Sequence, residues 1–209
     1  MAVYKIFPEK DATIYSEYPN MNTGIDEIIE MSTLSIAIPT IPQASRTLLK
    51  FSQDDINNVV NNRVSGKPFK TYLKTYMATV SGLNTNVTVQ ALPISGAWNN
   101  GTGKYKDDPQ TQDGVSWNWR LTSGSQFWST SSYTAYATAS FTGSIPGGGT
   151  WYTGSSVGLN VTSATASLGY RSNFDLSLDV TNTILTWCSG GFSNDGFILK
   201  QSNNDEFVS

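Results

Sequence analysis

Short segments in which apolar and polar residues alternate recur along this 209-residue chain and constrain its fold more than any other feature. The clearest examples are residues 87–91, 135–141 and 176–180. This period-two alternation predicts half-buried β-strands, and the Gly-, Pro-, Asn- and Ser-rich turns between the segments favour antiparallel connections. An all-β fold is therefore predicted.

Other segments carry apolar residues on both faces, as central or doubly covered strands do; they are residues 26–38, 46–51, 70–80 and 196–200. Helices are predicted only in connections. Ser52 is a good N-cap for a helix that ends near Arg63, before Gly66 and Pro68, and a second short helix is expected over residues 181–187. The predicted fold class is a β-sandwich or jelly-roll of about eight to ten strands with one or two short helices in connections.

The length suits one all-β domain, so residues 1–209 are predicted to form a single domain. The region at about 121–158 is rich in Ser, Thr, Gly and aromatic residues. We predict that it forms a long hairpin insertion that extends from the domain. No repeat or linker divides the chain.

Charge and composition exclude several classes of function. A net charge of −3 and 13 scattered Lys and Arg residues provide no basic surface for nucleic acid. The chain has no His, which rules out Ser-His-Asp and Cys-His catalysis, and the single Cys188 is expected to fill a small apolar site. No membrane span or secretion signal is visible, so synthesis in a cytoplasm and no membrane insertion are expected.

Carboxylates are the only remaining candidates for acid–base chemistry. Most of them lie in polar turns, and catalysis needs two that converge in a cleft, so we do not expect an enzyme. Asp107, Asp108 and Asp113 are close enough in sequence to hold a hard cation such as Ca²⁺, although their spacing matches no defined calcium loop. The alternative is a turn in which these carboxylates cap backbone amides before Pro109. No other cofactor is expected.

Aromatic residues are concentrated in and after the segment 97–120, which holds Trp98, Trp117 and Trp119. Their flat faces suit either stacking on sugar rings or packing in a sandwich core, and packing is the favoured interpretation for each Trp. Trp128 is expected to be the most exposed of them. The candidate carbohydrate-binding residues are Trp119, Trp128, Tyr133 and Trp151.

Three segments together resemble one known family. "RTLLKF" (46–51), "VQALPISGAWNNGTGKYKDDPQTQDGVSWNW" (89–119) and "LSLDVTNTILTWCSGGFSNDGFILK" (176–200) are similar, in order, to the landmarks of the DNRLRE domain family. The opening "DATIYSEYPNMNTG" is similar to the family's usual start. The amino-acid sequences of several of these segments look most like the versions found in virion proteins of tailed bacteriophages.

The resemblance implies a β-jelly-roll related to carbohydrate-binding modules, with no catalytic residues in its motif. It implies a structural protein of a phage particle, on the tail, baseplate, neck or capsid exterior, whose partners are other virion proteins and copies of itself. Family members usually continue past "GF-LK" into a closing strand, so we expect this strand to be missing or supplied by a partner. A glycan-binding module that recognises host surface polysaccharide is the main alternative, and a polysaccharide lyase or hydrolase is a third.

Overall fold

A computed structural model describes residues 2–34, 43–79, 86–123, 125–128, 147–152, 164–168 and 175–202. The strands within these ranges are β1 (Lys10–Tyr15), β2 (Thr33–Leu34), β3 (Gln43–Lys50), β4 (Tyr72–Thr75), β5 (Val87–Pro93), β6 (Trp119–Leu121), β7 (Gln126–Phe127), β8 (Ala164–Leu168), β9 (Leu176–Asp179) and β10 (Phe197–Gln201). Two short helices are present, α1 (Gln53–Asn57), which widens into a π-helix (Asn58–Val64), and α2 (Thr181–Cys188). All strand pairs are antiparallel, which confirms the all-β prediction.

The main sheet has the strand order β1-β3-β10-β5-β8, and the short β2 also pairs with β3. Strand β10 is central, since Ile198 lies opposite Leu48 on one side and Leu92 on the other. The apolar run of β10 suits this position, because a central strand covered on both faces buries every side chain.

Each face of the main sheet buries its own cluster of side chains. Over one face pack tryptophans from the long loop after β5 and from the end of β7, and this cluster comprises Ala12, Ile14, Ala44, Leu48, Leu92, Ile94, Trp98, Val115, Trp117, Trp128 and Ile198. Over the other face pack the two-stranded β4–β9 sheet and the helices, which contribute Leu73, Leu178, Ile56, Ile184 and Trp187. The layers give the molecule its sandwich-like character.

Both predicted helices are present. The Ser52 hydroxyl accepts a hydrogen bond from the Asp55 amide at 3.2 Å, which is the predicted N-cap, and Ile56 is buried. The second helix begins at Thr181, whose amide donates to the Asp179 carboxylate at 3.0 Å. Only Val180 lies between the end of β9 at Asp179 and the start of α2 at Thr181. The hydrogen bond therefore links the strand directly to the helix.

Most strand predictions that fall on described residues are confirmed, and one is largely wrong. Within 26–38, only Thr33–Leu34 forms a strand among the residues that the structure describes. The main chain before this strand bonds to side chains instead of to a neighbouring strand. The backbone amide of Glu30 donates to the Thr13 hydroxyl at 2.9 Å, and the Glu30 carbonyl accepts from the Thr47 hydroxyl at 3.1 Å. The predicted strand at 135–141 and most of the predicted insertion at 121–158 lie outside the described residues.

Candidate interaction surfaces

The long loop that follows β5 is anchored on one buried side chain, Asn22. Its amide nitrogen donates to the carbonyls of Asn100 at 2.6 Å and Val115 at 2.8 Å. Its amide oxygen accepts from the backbone of Gly103 at 2.8 Å and Gly24 at 3.2 Å. Because these contacts tie together three separate stretches of chain, the loop is a rigid part of the scaffold.

Glycines allow the loop to approach Asn22 this closely. Gly101 has a φ of +80°, and a Cβ atom there would overlap the Asn22 side chain. A Cβ atom on Gly114 would overlap the Asn100 carbonyl. Neither site has room for a side chain, and the backbone of Gly101 also favours glycine.

Of the three aspartates predicted as metal ligands or caps, Asp107 and Asp113 accept hydrogen bonds from different threonines, although the charge of Asp107 also acts on the pKa of Asp113. Asp113 accepts hydrogen bonds from the Thr102 hydroxyl at 2.7 Å and the Thr102 amide at 2.9 Å, and these bonds lower the pKa of its carboxyl. Hydrogen bonding from Thr111 lowers the pKa of Asp107 in the same way, and Asp108 precedes Pro109 through a cis peptide bond. Across the described ranges, no three Asp, Glu or Cys side chains are grouped to hold a metal ion. The Ca²⁺ hypothesis therefore stays a prediction without geometric support.

Besides Trp187 in the second cluster, three tryptophans are buried in the first cluster. Trp98, Trp117 and Trp128 are 2%, 1% and 3% exposed. The indole of Trp98 donates to the Asp195 carbonyl at 2.8 Å, and that of Trp128 donates to the Ser116 carbonyl at 3.0 Å. The expectation that Trp128 is the most exposed Trp is wrong, because its backbone pairs with Asn118 and turns the indole into the core. It is not accessible to a sugar.

A buried cation lies against two of the indole rings. Arg46 on β3 is fully buried, and its guanidinium carbon is 4.9 Å from the ring centroid of Trp117 and 5.6 Å from that of Trp151. It also donates to the carbonyl of Gly148. The guanidinium therefore takes part of the aromatic surface that a bound sugar would need, and it fixes the loop that carries Trp151. Tyr133 lies outside the described residues.

Trp119 is half-buried and retains part of its aromatic surface. It stacks on Phe127 in the β6–β7 hairpin, with ring centroids 3.7 Å apart and an interplanar angle of 24°. Phe127 is 58% exposed, so the pair is open to solvent. The side-chain oxygen of Asn20 accepts from the Trp119 indole at 3.1 Å and from the side-chain amide of Asn118 at 3.0 Å. This arrangement is an aromatic surface bordered by amide groups.

A second exposed surface lies on the β4–β9 sheet. Tyr72 and Tyr76 are 50% and 74% exposed and flank the exposed Lys74, whereas Leu73 faces the core. Lys70 pairs with Asp179 on β9 at 2.9 Å. Hydrogen bonds from Thr181, and then Lys70, lower the pKa of that carboxyl to about 2. The surface is thus an alternating row of tyrosines and lysines.

The main chain of β4 has one edge facing away from β9. The Val180 amide donates to the Thr71 carbonyl at 2.9 Å, which places the polar groups of Thr71 on the β9 side. Because these groups alternate in direction along a strand, the amides and carbonyls of Tyr72 and Lys74 point outward. Within the described part of the chain, nothing hydrogen-bonds to these outward groups. We call this row of groups the β4 edge.

Sequence reasoning missed this surface although a signal was present. The segment 63–74 holds Arg63, Lys67, Lys70 and Lys74, and no Asp or Glu occurs between Asp55 and Asp107. All four of these cations are exposed. The sequence analysis described the Lys and Arg residues as scattered along the chain, and this description misses their concentration in segment 63–74.

Comparisons with protein-family models, with curated proteins and with solved structures return no match. Fold and surfaces together define an all-β, sandwich-like protein with exposed aromatic and cationic strand surfaces. No helix among the described residues is both long and apolar enough to cross a bilayer.

Proposed function

We propose that this chain is a non-enzymatic structural protein of a tailed-bacteriophage particle and acts through contacts with other virion proteins and with its own copies. The observation that carries the proposal is the exposure of apolar side chains in residues 2–8. Val3, Tyr4 and Phe7 are 75%, 48% and 78% exposed. Among the described residues, this segment forms no backbone hydrogen bonds, so both its side chains and its main chain are open to a partner.

The resemblance to virion forms of the DNRLRE family supports the same role, since it extends over nearly the whole chain. The surroundings of the carboxylates support a non-enzymatic role. Asp107, Asp113 and Asp179 accept hydrogen bonds from backbone amides, which uses these groups as structural caps. The pKa values of these three carboxyls are lowered, whereas a general acid at neutral pH needs a raised pKa. Burial raises the pKa of Asp11, which lies on β1 opposite Leu49.

Two experiments test the proposal. Electron microscopy and protein mass analysis of purified particles should locate the chain in the virion. A V3S/F7S double variant should fold normally but enter particles at a reduced level, because it lacks two exposed apolar contacts. An I28S variant removes an exposed apolar side chain elsewhere, 63% exposed, and serves as the matched control. Absence of the chain from particles would refute the proposal.

A glycan-binding role is the second candidate, because the Trp119–Phe127 pair offers an aromatic surface with neighbouring amides. Host envelope polysaccharide titrated against the protein should then bind saturably and lose affinity in F127A. W128A is unsuitable as a test of binding, since that indole is buried in the core. If the polysaccharide does not bind, or binds equally to F127A, this candidate is excluded.

A further inference from the structure

The β4 edge combines three features that together specify a partner. It presents outward amides and carbonyls at Tyr72 and Lys74, exposed aromatic rings at Tyr72 and at Tyr76 just beyond the strand, and positive charge at Lys74, since Lys70 is paired with Asp179. Outward main-chain groups suit another strand, because a strand can satisfy donors and acceptors in register. A polysaccharide chain has no matching repeat of amide donors and carbonyl acceptors.

Positive charge determines which strand can be added. Lysines on an edge strand normally prevent pairing with a like strand, since equal charges opposite each other are destabilising. Pairing of two β4 edges from different copies would bring Lys74 close to a second set of lysines. An acidic strand reverses this effect, because its carboxylates would lie close to the exposed Lys74.

We propose that the β4 edge is a docking site for an extended acidic segment of another protein, which adds to the β4–β9 sheet as a third strand. The inference rests on the proposed assembly role and names the chemistry of a partner. The tyrosines supply apolar contact area, and Lys74 supplies selectivity and faster association.

An apolar groove next to the sheet offers an anchor for the same partner. It is an open groove of about 630 Å³, lined by residues of the π-helix, the following turn and α2, among them Val60, Val64, Pro68, Phe69 and Leu185. Phe69 lies three positions before Tyr72, so this part of the groove lining is close in sequence to the start of β4. A partner that continues beyond the edge can place an apolar side chain there.

Amide hydrogen exchange tests the inference with a short blocked peptide of alternating Thr and Glu. At a peptide concentration about ten times its Kd, exchange of the Tyr72 and Lys74 amides should slow by about tenfold. The Leu73 amide faces β9 and should not change. The same peptide with Lys in place of Glu serves as the charge control and should give no protection.

Three variants separate strand addition from simple charge attraction. K74P removes an outward amide without loss of a bond to β9, so it should fold normally; it should bind the acidic peptide more weakly than K74A, which removes only the charge. K74E should weaken the acidic peptide by at least about tenfold, which corresponds to about 1.4 kcal/mol, and should favour the Lys peptide. Thermal melting of the three variants verifies that they fold.

Either of two results overturns the inference. One is unchanged exchange at Tyr72 and Lys74 at millimolar acidic peptide. The other is equal protection by a soluble polyuronate, which would mean that charge alone is recognised. Neither result bears on the presence of the chain in particles, so failure of this inference is distinguishable from failure of the proposed function.

Discussion

Replacement of Asn22 with Ala should lower the free energy of unfolding by about 3–5 kcal/mol. The side chain is fully buried and bonds to two carbonyls and two amides at 2.6–3.2 Å. In the Ala variant these backbone groups stay in the core without their partner, and each lost bond costs about 1 kcal/mol or more. The sum over four bonds gives the stated range.

Denaturation by urea, followed by tryptophan fluorescence, measures this loss. Trp98 and Trp117 are buried in the cluster that the loop covers, so their emission reports its integrity. The midpoint should fall while the m value stays constant, since the folded surface area is unchanged. In N62A, an exposed side-chain bond at 2.9 Å is lost instead, and the expected change is below about 0.5 kcal/mol.

The variant N22D distinguishes the hydrogen bonds from packing. Asp has nearly the same shape but would turn a carboxylate oxygen towards the carbonyls of Asn100 and Val115, which now accept from the amide nitrogen. It should therefore destabilise the protein at neutral pH at least as much as N22A. A loss below about 1 kcal/mol in either variant would refute the view that Asn22 anchors the loop.

Three further predictions follow from local geometry. S52A removes the N-cap of α1 and should cost about 1 kcal/mol in urea denaturation, whereas S52D should retain most of the stability. G101A should destabilise by more than 1 kcal/mol or so, because both the positive φ and the contact with Asn22 exclude a methyl group. The folded-state pKa of Asp179 is about 2, below the ordinary aspartate value of 3.8, so its contribution to stability is complete above about pH 4 and is lost as the pH falls towards 2. Acid titration of D179N should lack this loss; an identical acid profile would contradict the assignment.

The sequence predicted the elements whose signals are local. Alternation over 87–91 and 176–180 corresponds to β5 and β9, and Ser52 caps its helix as expected. Each of these signals depends only on residues within a few positions. A strand period or an N-cap is therefore visible without knowledge of the tertiary structure.

The direction of the aromatic side chains could not be predicted in the same way. In "QFW", alternation along β7 places Phe127 and Trp128 on opposite faces, but it does not say which one faces the core. The larger ring was expected outside. It lies inside because the Asn118 carbonyl pairs with the Trp128 amide, and that partner lies ten positions away.

The buried Arg46 shows the same limit for charge. It shares a face of β3 with Ala44 and Leu48, both of which are core residues, and its burial is unfavourable without compensation. Compensation comes from the Gly148 carbonyl and from the rings of Trp117 and Trp151, which are all distant in sequence. The pattern of β3 alone gives no indication of these partners.

Strand β4 has apolar residues on both faces but is not the central strand that this pattern predicts. The segment 70–80 was predicted to be central or doubly covered, because Tyr72 and Tyr76 alternate with Leu73. In the structure Leu73 is buried, whereas the tyrosines are 50% and 74% exposed at the edge of a two-stranded sheet. A strand with apolar side chains on both faces is stable when both are covered, whether by its own chain or by a partner. The pattern of side chains therefore does not distinguish a central strand from an edge strand such as β4, because the position of a strand in its sheet is set by main-chain pairing.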